Sequence, residues 1–242
     1  MPNVTLNCDM GESFGIYSFG ADEKLMGMID AANVACGFHG SDFNHMRRAV
    51  RLAKQAGVAV GAHPSLPDLQ GFGRRVMAIS GEELTNCILY QVGALSAFLA
   101  AEGVPLSHIK PHGALYGMAA GDRAIAHAIA DAADIYRVPL LGLPGTEHER
   151  VYRERGHAFV AEFFADLEYD DDGRLIITRD HPALDPAIAA RRTLDAVTHG
   201  RIVSTGGRTH DVRVDSVCIH SDTPNAPEIA MAVAAVLREA KT

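Results

Sequence analysis

The chain has 242 residues, enough for one α/β barrel or two small domains. Apolar residues make up 48% of it but aromatic residues only 6%, and Trp is absent, so the core must be largely aliphatic. A formal net charge of −8 argues against a nucleic-acid or anionic-membrane partner, because both select a basic face.

The amino terminus, MPNVTLNCDMGE, has neither the basic stretch nor the apolar one that opens a signal peptide, and it runs directly into a strand over 4–9. The pattern then predicts a helix over 22–31, a strand over 33–39 and a helix over 42–55 capped by Ser41 or Asp42. A strand over 58–63 leads into a polar stretch rich in Gly and Pro. Ser80 and Glu83, spaced as a capping box, open a helix over 80–101. Strands over 108–112, 139–144 and 159–165 alternate with helices over 122–133 and 147–155. Residues 168–179 (EYDDDGRLIITR) read as a hairpin turning at Asp172 and Gly173. A helix over 186–198, a Gly-rich strand or loop over 201–213, a strand over 215–220 and a helix over 225–239 complete the chain. Gly57, Gly103, Gly156 and Gly200 mark helix ends.

Such alternation implies parallel strands with right-handed crossovers, in a closed barrel or a doubly wound open sheet. No linker or repeat divides 1–242, so one domain is expected. No apolar run is read as long enough to span a bilayer. Cys8, Cys36, Cys87 and Cys218 are dispersed without a CxxC pair, as befits reduced thiols in a cytoplasmic protein.

Polar residues gather repeatedly at the C-terminal ends of the predicted strands: Asn7, Asp9 and Glu12 after the first, His39 after the second, His63 after the third, Lys110, His112 and Tyr116 after the fourth, and His220 and Asp222 after the last. In βα folds those ends converge on the face where ligands bind. A period of two puts Asn7 with Asp9, Gly61 with His63, Lys110 with His112 and His220 with Asp222 on common sides of their strands. Asp222 either orients His220 or caps the last helix. His45, His127, His148, His157 and His199 are read as surface or capping residues. In the segment 61–75, Gly71 and Gly73 allow close approach of a ligand, and Arg74 and Arg75 offer guanidinium groups for a carboxylate or phosphate. Neither G-x-x-x-x-G-K-[ST] nor G-x-G-x-x-G nor G-x-S-x-G occurs, which argues against a resident nucleotide site and an elbow-type Ser hydrolase.

Five blocks, N-C-D-M-G-E-S-F-G (7–15), A-N-V-A-C-G-F-H-G (32–40), G-A-H-P-S-L-P-D-L-Q-G-F-G-R-R (61–75), I-K-P-H-G-A-L-Y (109–116) and C-I-H-S-D-T-P-N-A (218–226), together resemble the LamB/YcsF family of 5-oxoprolinase A subunits. The resemblance spans essentially the whole chain, in order. It implies a seven-stranded β/α barrel like those of the glycoside hydrolase/deacetylase superfamily. It also implies action with partner subunits B and C, with ATP as co-substrate, to convert 5-oxoproline to glutamate. Two positions depart from the family pattern: Ser221 stands where H-G-D is common, and Leu167 where an Arg commonly follows F-A-D. The second leaves room for another lactam or an amide as substrate.

On this reading Asp9, Glu12, His39, His63, Lys110 and His112 are the catalytic set. Asp9 or Glu12 serves as base, the histidines move protons or stabilise charge, and Lys110 stabilises an oxyanion or phosphoryl group. Asn7, Arg74, Arg75, Tyr116, His220 and Asp222 bind substrate, an arginine taking its carboxylate. No metal is predicted. The alternative is a stand-alone metal-dependent amidohydrolase with Asp9, His39 and His63 as ligands, and a further one is a scaffold that only assembles partners.

Overall fold

The computed structural model describes residues 4–178 and 181–240. In chain order its elements are β1 (Thr5–Met10), α1 (Asp22–Leu25), β2 (Ala31–Ala35), α2 (Phe43–Ala56), β3 (Ala59–His63), α3 (Gly81–Glu102), β4 (Leu106–Ile109), α4 (Gly113–Gly121), α5 (Arg123–Tyr136), β5 (Leu140–Gly142), α6 (Glu147–Glu154), β6 (Phe159–Phe164), β7 (Glu168–Tyr169), β8 (Leu175–Ile176), α7 (Pro186–His199), β9 (Arg201–Val203), β10 (Thr209–Asp211), β11 (Ser216–His220) and α8 (Ala226–Glu239). Strands β1 to β6 and β11 pair in parallel, in that order, and β11 closes on β1, so the open-sheet alternative falls away. Two antiparallel hairpins, β7–β8 and β9–β10, lie outside the barrel. The first is the hairpin expected over 168–179, whose last residue is outside the described residues.

Alternation along each strand sorts the side chains. Leu6, Cys8 and Met10 of β1, Ala32 and Val34 of β2, and Val217 and Ile219 of β11 join the buried aliphatic core shared with the helices. The residues between them form a polar column inside the barrel. Asn33 Nδ2 donates to Asn7 Oδ1 and to Asp9 Oδ1, both at 2.8 Å, and His108 Nε2 donates to Asn33 Oδ1 at 2.7 Å. Asn7 Nδ2 donates to Ser216 Oγ at 2.8 Å. Buried amides and imidazoles are tolerated here because each finds a partner. Gly61 makes the column possible: a Cβ there would lie 2.1 Å from His108 Nε2.

Several boundaries differ from expectation. The helix expected over 22–31 ends at Leu25, and β2 starts at Ala31 and stops at Ala35, which leaves His39 on a loop. There Asp30 acts as a local anchor, its carboxylate accepting from Leu6 N at 2.8 Å. α4, with glycines at both ends and one inside, gave no helix signal. Asp42, not Ser41, caps α2, accepting from Asn44 N and His45 N. Ser80 precedes α3 but makes no capping bond through its side chain. Gly57, Gly103 and Gly200 adopt the left-handed turn at helix ends. Contrary to expectation, α3 is long and apolar enough to cross a bilayer by length and composition alone. In this fold Leu84, Ile88, Val92, Leu95 and Leu99 bury one side of it in the core.

Candidate active site

The C-terminal ends of the strands surround a small cleft, lined among others by Asp9, His63, Arg74, Lys110, His112, Tyr116 and His220. At its floor Asp9, on β1, meets side chains from four other strands or their ends. Lys110 Nζ and Asn33 Nδ2 approach Asp9 Oδ1 at 3.0 and 2.8 Å; His63 Nε2 and His220 Nε2 lie 3.1 and 3.7 Å from Oδ2. Burial pushes the Asp9 carboxyl up, but His63 and Lys110 more than offset this and hold it well below the usual carboxylate range. Lys110 is 2% exposed and also contacts Glu162 Oε1 at 2.9 Å and Cys218 Sγ at 3.0 Å. Burial pulls the ammonium down, while Asp9, Cys218 and Glu162 raise it well above its ordinary value, so it stays charged. Burial pushes the Cys218 thiol up, and the charges on Asp9 and Glu162 add to this against the opposing pull of Lys110.

The imidazoles have distinct roles set by their partners. His63 Nδ1 donates to the Lys110 carbonyl at 2.7 Å, and its Nε2 lies 3.0 Å from His112 Nδ1. His112 Nε2 donates to the Phe72 carbonyl at 2.8 Å. Phe72 holds a left-handed backbone, φ 53°, that aims this carbonyl inward, a sparsely populated conformation for a non-Gly residue. Burial lowers both His39 and His112 well below the usual imidazole value, so they are neutral. His220 differs: burial lowers it, but Asp166, which takes its Nδ1 proton at 3.0 Å and its backbone N–H at 2.8 Å, leaves it raised.

The cleft does not receive every predicted residue. Glu12 and His39 sit behind its wall, bonded to each other at 3.0 Å (His39 Nε2 to Glu12 Oε1). His39 stacks on His112 with centroids 3.7 Å apart and planes within 5°. Burial, with the charges on Asp9 and Asp222, raises the Glu12 carboxyl well above its ordinary value. Glu12 stands outside the lining of the cleft, with its carboxylate held by His39. Asn7 lies deeper in the polar column.

Of the two arginines, Arg74 reaches the cleft, with Nη2 2.8 Å from Asp222 Oδ2 and a side chain 4% exposed. Arg75 turns away, half-exposed, and is held by Asp68. Gly71 and Gly73 are required by internal packing: added Cβ atoms would meet Asp68 and Arg75 in one case, Ser65 and the two histidines in the other. Asp222 takes neither role expected of it. Asp166 orients His220, Asn225 occupies the position before α8, and Asp222 pairs Arg74 with His181. His148 is no surface residue: it is buried, its Nδ1 accepting from Leu143 N at 3.0 Å, and burial lowers it to about 3. Tyr116 packs edge-on against His148 and Phe164 in the cleft wall, its phenol raised well above its ordinary value by burial and Glu162.

Sequence reasoning missed Asn33, His108, Glu162, Asp166, His181 and Cys218. A carboxylate flanked by aromatic residues inside a strand, as in F-V-A-E-F-F, was the available signal for Glu162. Nor do the alternative metal ligands Asp9, His39 and His63 converge as that set. Among the described residues, two groups place donor atoms within 4.8 Å of one another: Glu12, His39, His63 and His112, and Asp9, Cys218 and His220.

The model of the LamB/YcsF family matches residues 4–242. A protein from Thermus thermophilus named as the A subunit of 5-oxoprolinase is 50% identical, over 98% of this chain and 96% of its own length. One of the same name from Bacillus licheniformis is 45% identical, over 99% and 96%. The crystal structure of a lactam utilization protein from Thermus thermophilus superposes with a TM-score of 0.90 at 48% identity, covering 100% of this chain and 98% of that one.

Proposed function

The chain belongs to the LamB/YcsF family, and from that premise we propose that it is the ring-opening component of an ATP-dependent 5-oxoprolinase. The observation that carries the reading is the meeting of Asp9, Lys110 and His220 at the floor of one cleft: an ionised acid, a buried cation and an imidazole raised above its ordinary value. Relatives that carry the name of an A subunit imply an enzyme of several chains. The partners would be subunits B and C. The absence of a Gly-rich phosphate loop from the sequence supports assigning the ATP chemistry to them.

A five-membered lactam is a resonance-stabilised amide, so water attacks it slowly. ATP transfers its terminal phosphoryl group to the lactam oxygen, leaving ADP and a more electrophilic ring carbon. Water adds to that carbon, the carbon–nitrogen bond breaks, and the nitrogen takes a proton to leave as an amine. A second water releases phosphate from the resulting acyl phosphate, giving glutamate. Asp9 holds the attacking water and takes its proton. Lys110 stabilises the charge that grows on oxygen, and His220 supplies the proton to nitrogen. Arg74 takes the substrate carboxylate, exchanging part of its pairing with Asp222. Tyr116 and Leu167 shape the wall.

The test is release of glutamate and ADP from 5-oxoproline and ATP by this chain on its own and with its cognate partners. Glutamate from the complete mixture only, with ATP consumed, is the expected result. Ring opening by this chain on its own without ATP, or none by the complete mixture, would overturn the assignment.

A further inference from the structure

Behind the cleft floor lies a set of donor atoms that the ring-opening chemistry only partly uses. His63 and His112 each give one ring proton to a backbone carbonyl, of Lys110 at 2.7 Å and of Phe72 at 2.8 Å. Those acceptors fix the tautomer and turn the other nitrogen of each ring inward. The two inward nitrogens face one another across 3.0 Å with the rings at 90°. Glu12 Oε1 stands 3.7 Å from His112 Nδ1.

We propose that His63 Nε2, His112 Nδ1 and Glu12 Oε1 form a site for one divalent transition-metal ion of the zinc type. Metal–nitrogen bonds of about 2.0–2.1 Å make a 3.0 Å span between nitrogens fit two ligands roughly at right angles. Two imidazoles and one carboxylate select zinc, cobalt, iron or manganese over the oxygen-seeking magnesium and calcium. His63 and His112 also line the cleft, so the remaining coordination positions are open to water or to a substrate oxygen.

His39 is not a fourth ligand, although it belongs to the same cluster. An imidazole lone pair lies in the ring plane, and the His39 and His112 planes are parallel and stacked, so no single ion lies in both. His39 acts as the outer partner of the ligating carboxylate, donating from Nε2 to Glu12 Oε1 at 3.0 Å, while Ser221 Oγ donates to Oε2 at 3.4 Å. Each of the three ligands thus has its own second partner, the arrangement that orients ligands in metal centres. With the tautomers so fixed, both inward nitrogens present lone pairs to the gap between them, which is what a cation there requires.

The assignment rests on ligand geometry and stands whatever the substrate is. The full-length protein, purified without chelator and dialysed against Zn²⁺ or Co²⁺, is expected to retain one ion per chain by elemental analysis. Its Co²⁺ form is expected to show the visible bands of a nitrogen–oxygen site. H39Q should weaken Co²⁺ binding about 10–100-fold while keeping the ligands, and E12Q with H112A should abolish the bands. Failure of folded wild-type protein to bind any of Zn²⁺, Co²⁺, Mn²⁺ or Fe²⁺ stoichiometrically would overturn the proposal, as would unchanged bands in the double variant. Because no 5-oxoproline, ATP or partner enters these measurements, their outcome is separate from that of the ring-opening assay.

Discussion

Replacing Lys110 by Met leaves Asp9 and Glu162 facing one another without the cation that now lies 3.0 and 2.9 Å from them. At an effective dielectric of about 20, each attraction at that distance is on the order of 5 kcal/mol before desolvation. Removing the ammonium also removes its own burial cost, and breaking a buried pair on one side typically costs about 3–5 kcal/mol. For a domain of this size that loss lowers the melting temperature by roughly 6–20 °C. Urea denaturation followed by circular dichroism measures it, with an unchanged slope certifying that the same surface unfolds. Replacing exposed Arg48, paired with exposed Glu23, is the control and should cost little. In the assembled enzyme the same Lys110 variant should lose about 10²–10³ in kcat, the usual effect of deleting one donor to a developing oxyanion. A stability loss below about 1 kcal/mol would mean that the two carboxylates are not held by this cation, and the electrostatic picture of the floor would fall.

Asp166→Asn should make stability less dependent on pH on the alkaline side. His220 is raised in the fold, so its contribution is full below about 6.5 and disappears as pH rises through the raised value. The gap between wild type and variant should therefore shrink with rising pH, and a constant gap would refute the pairing. His148 is lowered to about 3, so the fold loses stability as pH falls from about 6.5 toward that value. His148→Asn, which can still accept from Leu143 N, should flatten this acid limb in denaturation curves. Arg74→Met should raise KM for 5-oxoproline about ten- to hundredfold, the worth of a charged hydrogen bond, with kcat nearly unchanged; a fall in kcat alone would move Arg74 from binding to chemistry. Asp42→Ala should cost about 1 kcal/mol in a urea titration because it caps α2, whereas Ser80→Ala should cost almost nothing, since its side chain makes no capping bond.

The parallel strand–helix alternation was legible because short apolar runs alternate with amphipathic ones, and the strand ends were legible because ionisable groups recur there. Closure was not. It depends on β11 finding β1 across the whole chain, which no local pattern encodes. Depth along a loop was equally hidden. Glu12 and His39 follow their strands just as Asp9 and His63 end theirs, yet the loops carry them behind the wall, where packing against His112 and Ser221 decides their place. The H-x-D spacing of His220 and Asp222 drew attention to a local pair, but Asp166 reaches His220 from 54 residues away. Asn33 and Glu162 were visible as polar residues inside apolar strands, and the desolvation they would suffer unpaired was itself the sign of an interior partner.

Those interior residues explain why the site needs a closed barrel. Asp9 receives hydrogen bonds or charges from Asn33 on β2, His63 on β3, Lys110 just beyond β4 and His220 on β11. In an open sheet with β1 at its edge, Asp9 could be approached along the hydrogen-bonding direction from one side only. Closure brings β2 and β11 to its two sides, and β3 and β4 across the barrel's interior. The lower column, from Ser216 through Asn7 and Asn33 to His108, then fixes the Asn33 amide that holds Asp9 Oδ1. Asp9 is therefore positioned by neutral groups below and held by the Lys110 ammonium above. Its charge state and direction are set before a substrate arrives, which is the condition for electrostatic stabilisation without reorganisation at the moment of reaction.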